Sequence, residues 1–225
     1  MLNRLKRQKP LESVLRASNG KRMFGLKLSA SVINLWQRGD RQGVYDALHG
    51  KWREPTPQME FGINQHKEWE LEVNRTGHLP EVFGGEKIAN PITEHYYTID
   101  LCEWLRLSGI LDLQYGEHGE VICDYKTGKT TANQYTNSLQ VGCYALLRPE
   151  AKMFIYRCYN QYDGKTTEAV VHLNDDKREE WADMIMSIAL DIRSWLEPIE
   201  PDFDNYGINN HERKENGQDT RTESV

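Results

Sequence analysis

Apolar and polar positions alternate with a period of two along Leu105–Tyr115 (LRLSGILDLQY) and again along Val121–Lys126 (VICDYK). That period puts successive side chains on opposite faces of a strand. Between the two runs lies the loop Glu117-His118-Gly119, with glycine last. It suits a type I turn closed by a residue in the left-handed region. The prediction is an antiparallel hairpin pairing Gly116 with Glu120 and placing Asp112 opposite Asp124. A slip of one residue would send Asp112 to the other face. Asp124 and Lys126 share one face, while Val121, Cys123 and Tyr125 share the other.

Elsewhere the pattern switches between helical and strand spacing. Ser29 or Ser31 reads as a helix N-cap, followed by Val32, Leu35 and Trp36 on one helical face. A short helix near Gly43 to Leu48 and a proline-marked loop over 51–58 come next. A helix from about Met59 to Val73 carries His66, with Phe61 and Trp69 expected toward the core. Residues 77–92 read as an irregular connector. Thr93 to Cys102 is rich in aromatic and β-branched residues and reads as the first strand. After the hairpin come a flexible loop, Thr127 to Asn133, and a helix over 134–147. A strand from Lys152 to Tyr162, a turn at Asp163-Gly164 and a strand over Thr166 to Leu173 follow. A last helix, capped by Asn174 or Asp175, runs through about Trp195 with an apolar stripe.

Composition narrows the class. A chain of 225 residues suits a single domain. Its 38% apolar content is low, and no apolar run is long enough to span a membrane. A cytoplasmic, soluble protein is expected. The net charge is −6, yet residues 1–27 alone carry +7. Such a basic segment suits phosphate binding or a solvated arm. From Asn209 onward apolar residues nearly vanish, so a disordered tail is expected.

The candidate chemistry lies on the hairpin. Asp112 and Asp124 on one patch repel each other unless a cation sits between them. A hard divalent ion with oxygen ligands, Mg²⁺ or Mn²⁺, is the natural filler, and the Tyr125 carbonyl is a further candidate ligand. Lys126 beside such an ion would orient water or stabilise charge on a phosphate. In the following loop Lys129 is a candidate phosphate contact. Gly128-Lys129-Thr130 superficially resembles the end of a P-loop, but Cys123 stands where its first glycine is required.

Together these segments resemble a known family. Gly109-Ile-Leu-Asp112, then Asp124-Tyr-Lys-Thr-Gly128, then Gln140-x-x-x-Tyr144 are similar to the motifs of the PD-(D/E)XK nuclease superfamily, and of its RecB-type branch in particular. Leu28 to Trp36 resembles the serine-rich opening of that branch. Phe61 to Glu70, with Gly62 and His66, resembles its helix bearing a metal-binding histidine. The resemblance implies Asp112, Asp124 and His66 as metal ligands and Lys126 as the catalytic lysine. It implies that Gln140 and Tyr144 line the site and contact DNA or order the lysine. Glu94, near the start of the first strand, would stand behind the metal ligands.

The chain departs from the iron–sulfur members of that branch. Cys102, Cys123, Cys143 and Cys158 all lie inside the core without C-x-x-C spacing. They read as reduced core residues, and no iron–sulfur cluster is expected.

The expectation is an α/β, restriction-endonuclease-like core: a mixed central β-sheet flanked by helices, with an N-terminal helical cap. Residues 1–27 would form a basic arm, 28–200 the nuclease domain and 201–225 the tail. The function expected is a Mg²⁺- or Mn²⁺-dependent, RecB-like DNA exonuclease of phage or recombination and repair type. It would act on single strands or duplex ends, with a helicase or recombinase as partner. The alternative is a catalytically inactive nucleic-acid-binding module or accessory subunit.

Overall fold

The computed structural model describes residues 25–51 and 54–199 and the backbone of 205 and 206. Among the described residues the first element is a strand, β1 (Gly25–Ser29), buried through its middle. Ser29 ends it and caps α1 (Ala30–Gln37) by accepting a hydrogen bond from the Val32 N–H. Asp40 caps α2 (Arg41–Leu48). Thr56 caps α3 (Pro57–Thr76), with proline at the first helical position where its missing N–H costs nothing.

Three strands follow, β2 (Ile92–Cys102), β3 (Leu105–Tyr115) and β4 (Val121–Thr127). Then come α4 (Leu139–Leu147), β5 (Met153–Tyr159), β6 (Thr166–His172) and α5 (Asp175–Leu196). A short β7 (Asn205–Tyr206) closes the order.

The strands form one mixed seven-stranded sheet, ordered β6-β5-β4-β3-β1-β7, with β2 also paired to β3. Helices cover both faces. The larger core joins α1, α2, α4 and α5 to residues such as Ile122, Phe154 and Tyr156. A smaller one sets Trp69 and Val73 of α3 against Leu113, Cys123 and Tyr125. Ile122 and Cys123 thus face opposite layers, as strand alternation requires. An α/β core with a mixed sheet flanked by helices is therefore the fold.

The hairpin has the register expected from its loop. Leu113 pairs with Cys123 and Tyr115 with Val121. Gly119 takes φ 70°, in the left-handed region.

One topological feature positions everything else. β2 occupies one edge of β3 from Leu105 to Gln114. A strand has two edges, so β1 and β4 must share the other. β1 runs parallel to Leu105–Ser108, and β4 runs antiparallel to Leu113–Tyr115. Gly109 to Asp112 lie in the gap between them. The carboxyl ends of β1 and β4 both point into this fork. Beyond Cys123, β4 leaves β3 and continues only with β5, in parallel register from Val121↔Met153 to Thr127↔Tyr159.

Some expectations need correction. β1 begins at Gly25, inside the segment read as a basic arm, and Lys27 is buried with it. Five residues bearing a lysine carry too little periodicity to be read as a strand, and burial came from pairing with β3. β7 falls within the segment read as a tail, while residues 1–24 and 207–225 lie outside the described residues. Phe61 is exposed rather than core, whereas Trp69 is buried. The expected helix over 134–147 is a short 3-10 turn (Ala132–Tyr135) followed by α4.

Candidate active site

The fork fixes the first carboxylate. Where β3 and β4 part, the Asp112 side chain takes over as acceptor. Its Oδ2 receives the Tyr125 backbone N–H at 2.8 Å. Tyr125 therefore meets Asp112 through its N–H, while its ring packs in the core beneath α3. The Nδ1 of His66 lies 3.5 Å from the same Oδ2. Gly62, one turn before His66 on α3, makes that approach feasible. A Cβ at Gly62 would stand 2.8 Å from Thr127 Oγ1.

Asp124 follows Cys123, the last residue of β4 paired to β3, and is 1% exposed. Its Oδ1 accepts from Gln140 Nε2 at 2.8 Å, and its Oδ2 lies 2.5 Å from Lys126 Nζ. Gln140 Nε2 also lies 3.3 Å from the Tyr144 hydroxyl. Both residues project from α4, one turn apart. The expected residues Asp112, Asp124, Lys126, Gln140, Tyr144 and His66 are thus brought together at the fork. Lys129 is not; it is exposed and lies over the Tyr162 ring at 4.7 Å.

The structure adds a residue that the sequence left in a supporting position. Glu94 lies opposite Asp112, between the pairs Thr93↔Leu113 and His95↔Leu111. Glu94, Asp112 and Asp124 therefore form a row of carboxylates across β2, β3 and β4. Ligand atoms of His66, Glu94 and Asp112 all fall within 4.8 Å of one another. Counting back through the tight Glu103-Trp104 turn, the pairing Cys102↔Leu105 would set Glu94 opposite Leu113. A bulge between Asp100 and Cys102 shifts the register by one and sets it opposite Asp112. No signal in the strand's own sequence marks that bulge.

Electrostatics follow from the crowding. Burial opposes ionisation of Asp112, but the His66 ring, Lys126 and the Tyr125 N–H together hold its carboxyl below the usual range. For Asp124, burial wins with help from Asp112. Its carboxyl is pushed up to about 6 against the pull of Lys126. Partial desolvation and the Asp112 charge push Glu94 up to about 7. Burial disfavours the charged form of His66, yet the hydrogen bond and charge of Asp112 raise it overall. Lys126 is likewise raised, its desolvation outweighed by Asp124 and Asp112. Metal-free, the site therefore holds protons where it holds too much negative charge.

Hard carboxylate oxygens with one imidazole nitrogen match the donor preferences of Mg²⁺ and Mn²⁺, with manganese favoured by the nitrogen. Among the described residues no helix is long and apolar enough to cross a membrane. Cys123, Cys143 and Cys158 are buried, and Cys102 is partly buried; all are free thiols.

Comparison with known proteins follows this geometry. Three solved structures share the fold, at identities too low to show more than that. SSO0001 is 14% identical with a TM-score of 0.54, covering 87% of each chain. An alkaline exonuclease from Laribacter hongkongensis is 10% identical with a TM-score of 0.52, covering 78% of this chain and 92% of its own. A protein assigned as an exonuclease from Eubacterium rectale is 14% identical with a TM-score of 0.51, covering 75% and 81%. No curated protein matches the sequence. A family model does match, over residues 11–206, and so spans every element from β1 to β7 and every residue at the fork. On that match the chain belongs to the PD-(D/E)XK nuclease superfamily.

Proposed function

We propose that this nuclease is a metal-dependent deoxyribonuclease of the RecB type, hydrolysing phosphodiester bonds of single strands or duplex ends. The observation that carries the reading is the convergence of His66, Glu94 and Asp112 within 4.8 Å, beside a lysine 2.5 Å from Asp124. Three carboxylates in one cross-strand row are unfavourable unless a cation joins them.

Asp112, His66 and Glu94 would hold Mg²⁺ or Mn²⁺, with Asp124 and the Tyr125 carbonyl as further ligands. Such an ion, when bound, polarises a phosphate oxygen and makes its bound water more acidic. Asp124 holds the Lys126 ammonium where charge develops on the phosphate, and Gln140 holds Asp124. Tyr144 supports Gln140 from one turn further along α4. Exonucleases among the structural neighbours, one of them a complex of the Laribacter enzyme with dAMP, favour exonuclease action. A helicase or recombinase partner would supply unwinding.

The test is cleavage of end-labelled single-stranded, duplex and circular DNA in Mg²⁺ and in Mn²⁺. Wild type is run beside Lys126→Ala and Asp112→Ala. Metal-dependent cleavage lost in both variants is expected, with circular DNA spared. Cleavage that survives both substitutions removes the assignment, and DNA binding without cleavage under any condition favours the inactive binding module.

A further inference from the structure

The β4–β5 pairing carries Lys126 and runs past the strand ends. Lys126 pairs with Cys158 and Thr127 with Tyr159, and the Gly128 N–H then donates to the Tyr159 carbonyl at 3.1 Å. From there the chains lead to Lys129 and to Tyr162. Tyr162 is 60% exposed, and the Lys129 Nζ sits 4.7 Å from its ring centroid.

The loop carrying Tyr162 is tightly built. The Asn160 N–H donates to the Lys165 carbonyl and the Gly164 N–H to the Asn160 carbonyl, both at 2.8 Å. The Tyr162 N–H donates to Asn160 Oδ1 at 3.0 Å, and the Lys165 N–H to Asp163 Oδ1 at 3.1 Å. A large ring is thus presented to solvent on a hydrogen-bonded turn, with one face attended by an ammonium that forms no ion pair among the described residues. Lys165, 80% exposed on the same loop, pairs with Asp163. Lys129 is three residues from Lys126, so their Cα atoms lie at most about 11 Å apart, on the order of three nucleotide steps of a stacked strand.

We propose that Tyr162 is a base-stacking platform and Lys129 a phosphate contact that together grip an unpaired nucleotide of the strand being cut at Lys126. The inference rests on the nuclease reading above and adds the form of substrate, a single-stranded segment. An aromatic ring accepts any base, because every base has a π-face. The ammonium adds a sequence-independent grip on the backbone. Rigidity of the turn lowers the ordering cost of that contact. Stacking here selects unpaired DNA over the interior of a duplex, where each base already has both faces covered by its stacked neighbours.

The test is anisotropy binding in the Lys126→Ala background with calcium in place of the catalytic ion. The probes are labelled oligothymidylate, an abasic strand of equal length and a blunt duplex. Tyr162→Ala is expected to weaken oligothymidylate binding about tenfold, while Tyr162→Phe retains it. On the abasic strand, which has nothing to stack, Tyr162→Ala has no effect. Lys129→Ala weakens both strands and lowers the salt slope by about one. Equal binding by Tyr162→Ala and its parent, or equal losses on the base-bearing and abasic strands, overturns the inference alone. A parent that binds no probe, with a wild type that cleaves no DNA, overturns the nuclease reading and the inference with it. Melting curves of all variants show whether each is folded, and the exposed position of Tyr162 makes its substitution benign to the core.

Discussion

Glu94 stands directly across the β2–β3 ladder from Asp112, and its backbone leaves the strand conformation at that one position, with φ 45°. A non-glycine residue in that region is strained, at a cost on the order of 1–3 kcal/mol. The strain coincides with the most crowded negative charge in the fork. It persists because β2 is pinned on both sides of Glu94 by the pairs to Leu113 and Leu111.

Replacing that charge gives the first prediction. Glu94→Gln keeps the shape and removes one of two facing like charges, an effect of about 0.2–1 kcal/mol. The metal-free variant at pH 8 should melt about 1–3 °C higher than wild type. Wild type should gain about 5–10 °C in Mn²⁺ at roughly one hundred times its Kd, and the variant should lose most of that gain. Thermal melts with and without Mn²⁺ decide it; an undiminished gain would remove Glu94 from the ligand set.

Acidity supplies the second. The folded-state values of Glu94, Asp124 and His66 all lie above their ordinary ones, with Glu94 at about 7 and Asp124 at about 6. Groups raised in this way contribute stability that is complete below the ordinary value and lost as pH rises through the folded one. The metal-free protein should therefore lose stability between about pH 5 and pH 8. Asp112, shifted downward, acts only at lower pH. Bound Mn²⁺ should reverse the slope, because the ion takes the place of the protons. Melting temperatures across this range, with chelator and with Mn²⁺, would contradict the scheme if the chelated protein became more stable toward pH 8.

A third concerns the lysine. Lys126→Ala should reduce cleavage by on the order of 100- to 1000-fold. It also leaves Asp124 buried with Gln140 as its remaining side-chain partner, destabilising the protein by about 1–3 kcal/mol at pH 8. Adding Asp124→Asn should restore much of that stability while cleavage stays absent. Urea unfolding and a cleavage assay on the two variants separate the roles. Recovery of cleavage in the double variant would show that Lys126 serves only to neutralise Asp124.

Gly109 gives the fourth. A Cβ there would stand 2.8 Å from Tyr144 Cε1 and 3.0 Å from Leu147 Cδ1. Glycine lets α4 lie flush on β3, which sets Tyr144 and hence Gln140 at the height of Asp124. Gly109→Ala should cost about 1–3 kcal/mol through overpacking and should weaken cleavage as well. Unchanged unfolding in urea would show that α4 shifts freely.

The sequence alone determined the local elements and the hairpin. Period-two runs and a loop ending in Gly119 set Asp112 against Asp124, because turn length and alternation are local properties. Lys126 joined the same face by its spacing, and Gln140 and Tyr144 shared a helical face for a similar reason. Tertiary structure decided the rest. GLKLS became a strand only by pairing with β3, since two leucines around a lysine carry no decisive pattern. The fork at Gly109 to Asp112 exists because β1 and β4 divide one edge of β3, a matter of strand order that periodicity does not encode. Glu94 reached Asp112 through a bulge between Asp100 and Cys102, at the carboxyl end of its own strand and several residues away from it. One extra residue in a ladder reverses which side chains face the site, and its position is set by how the whole sheet packs.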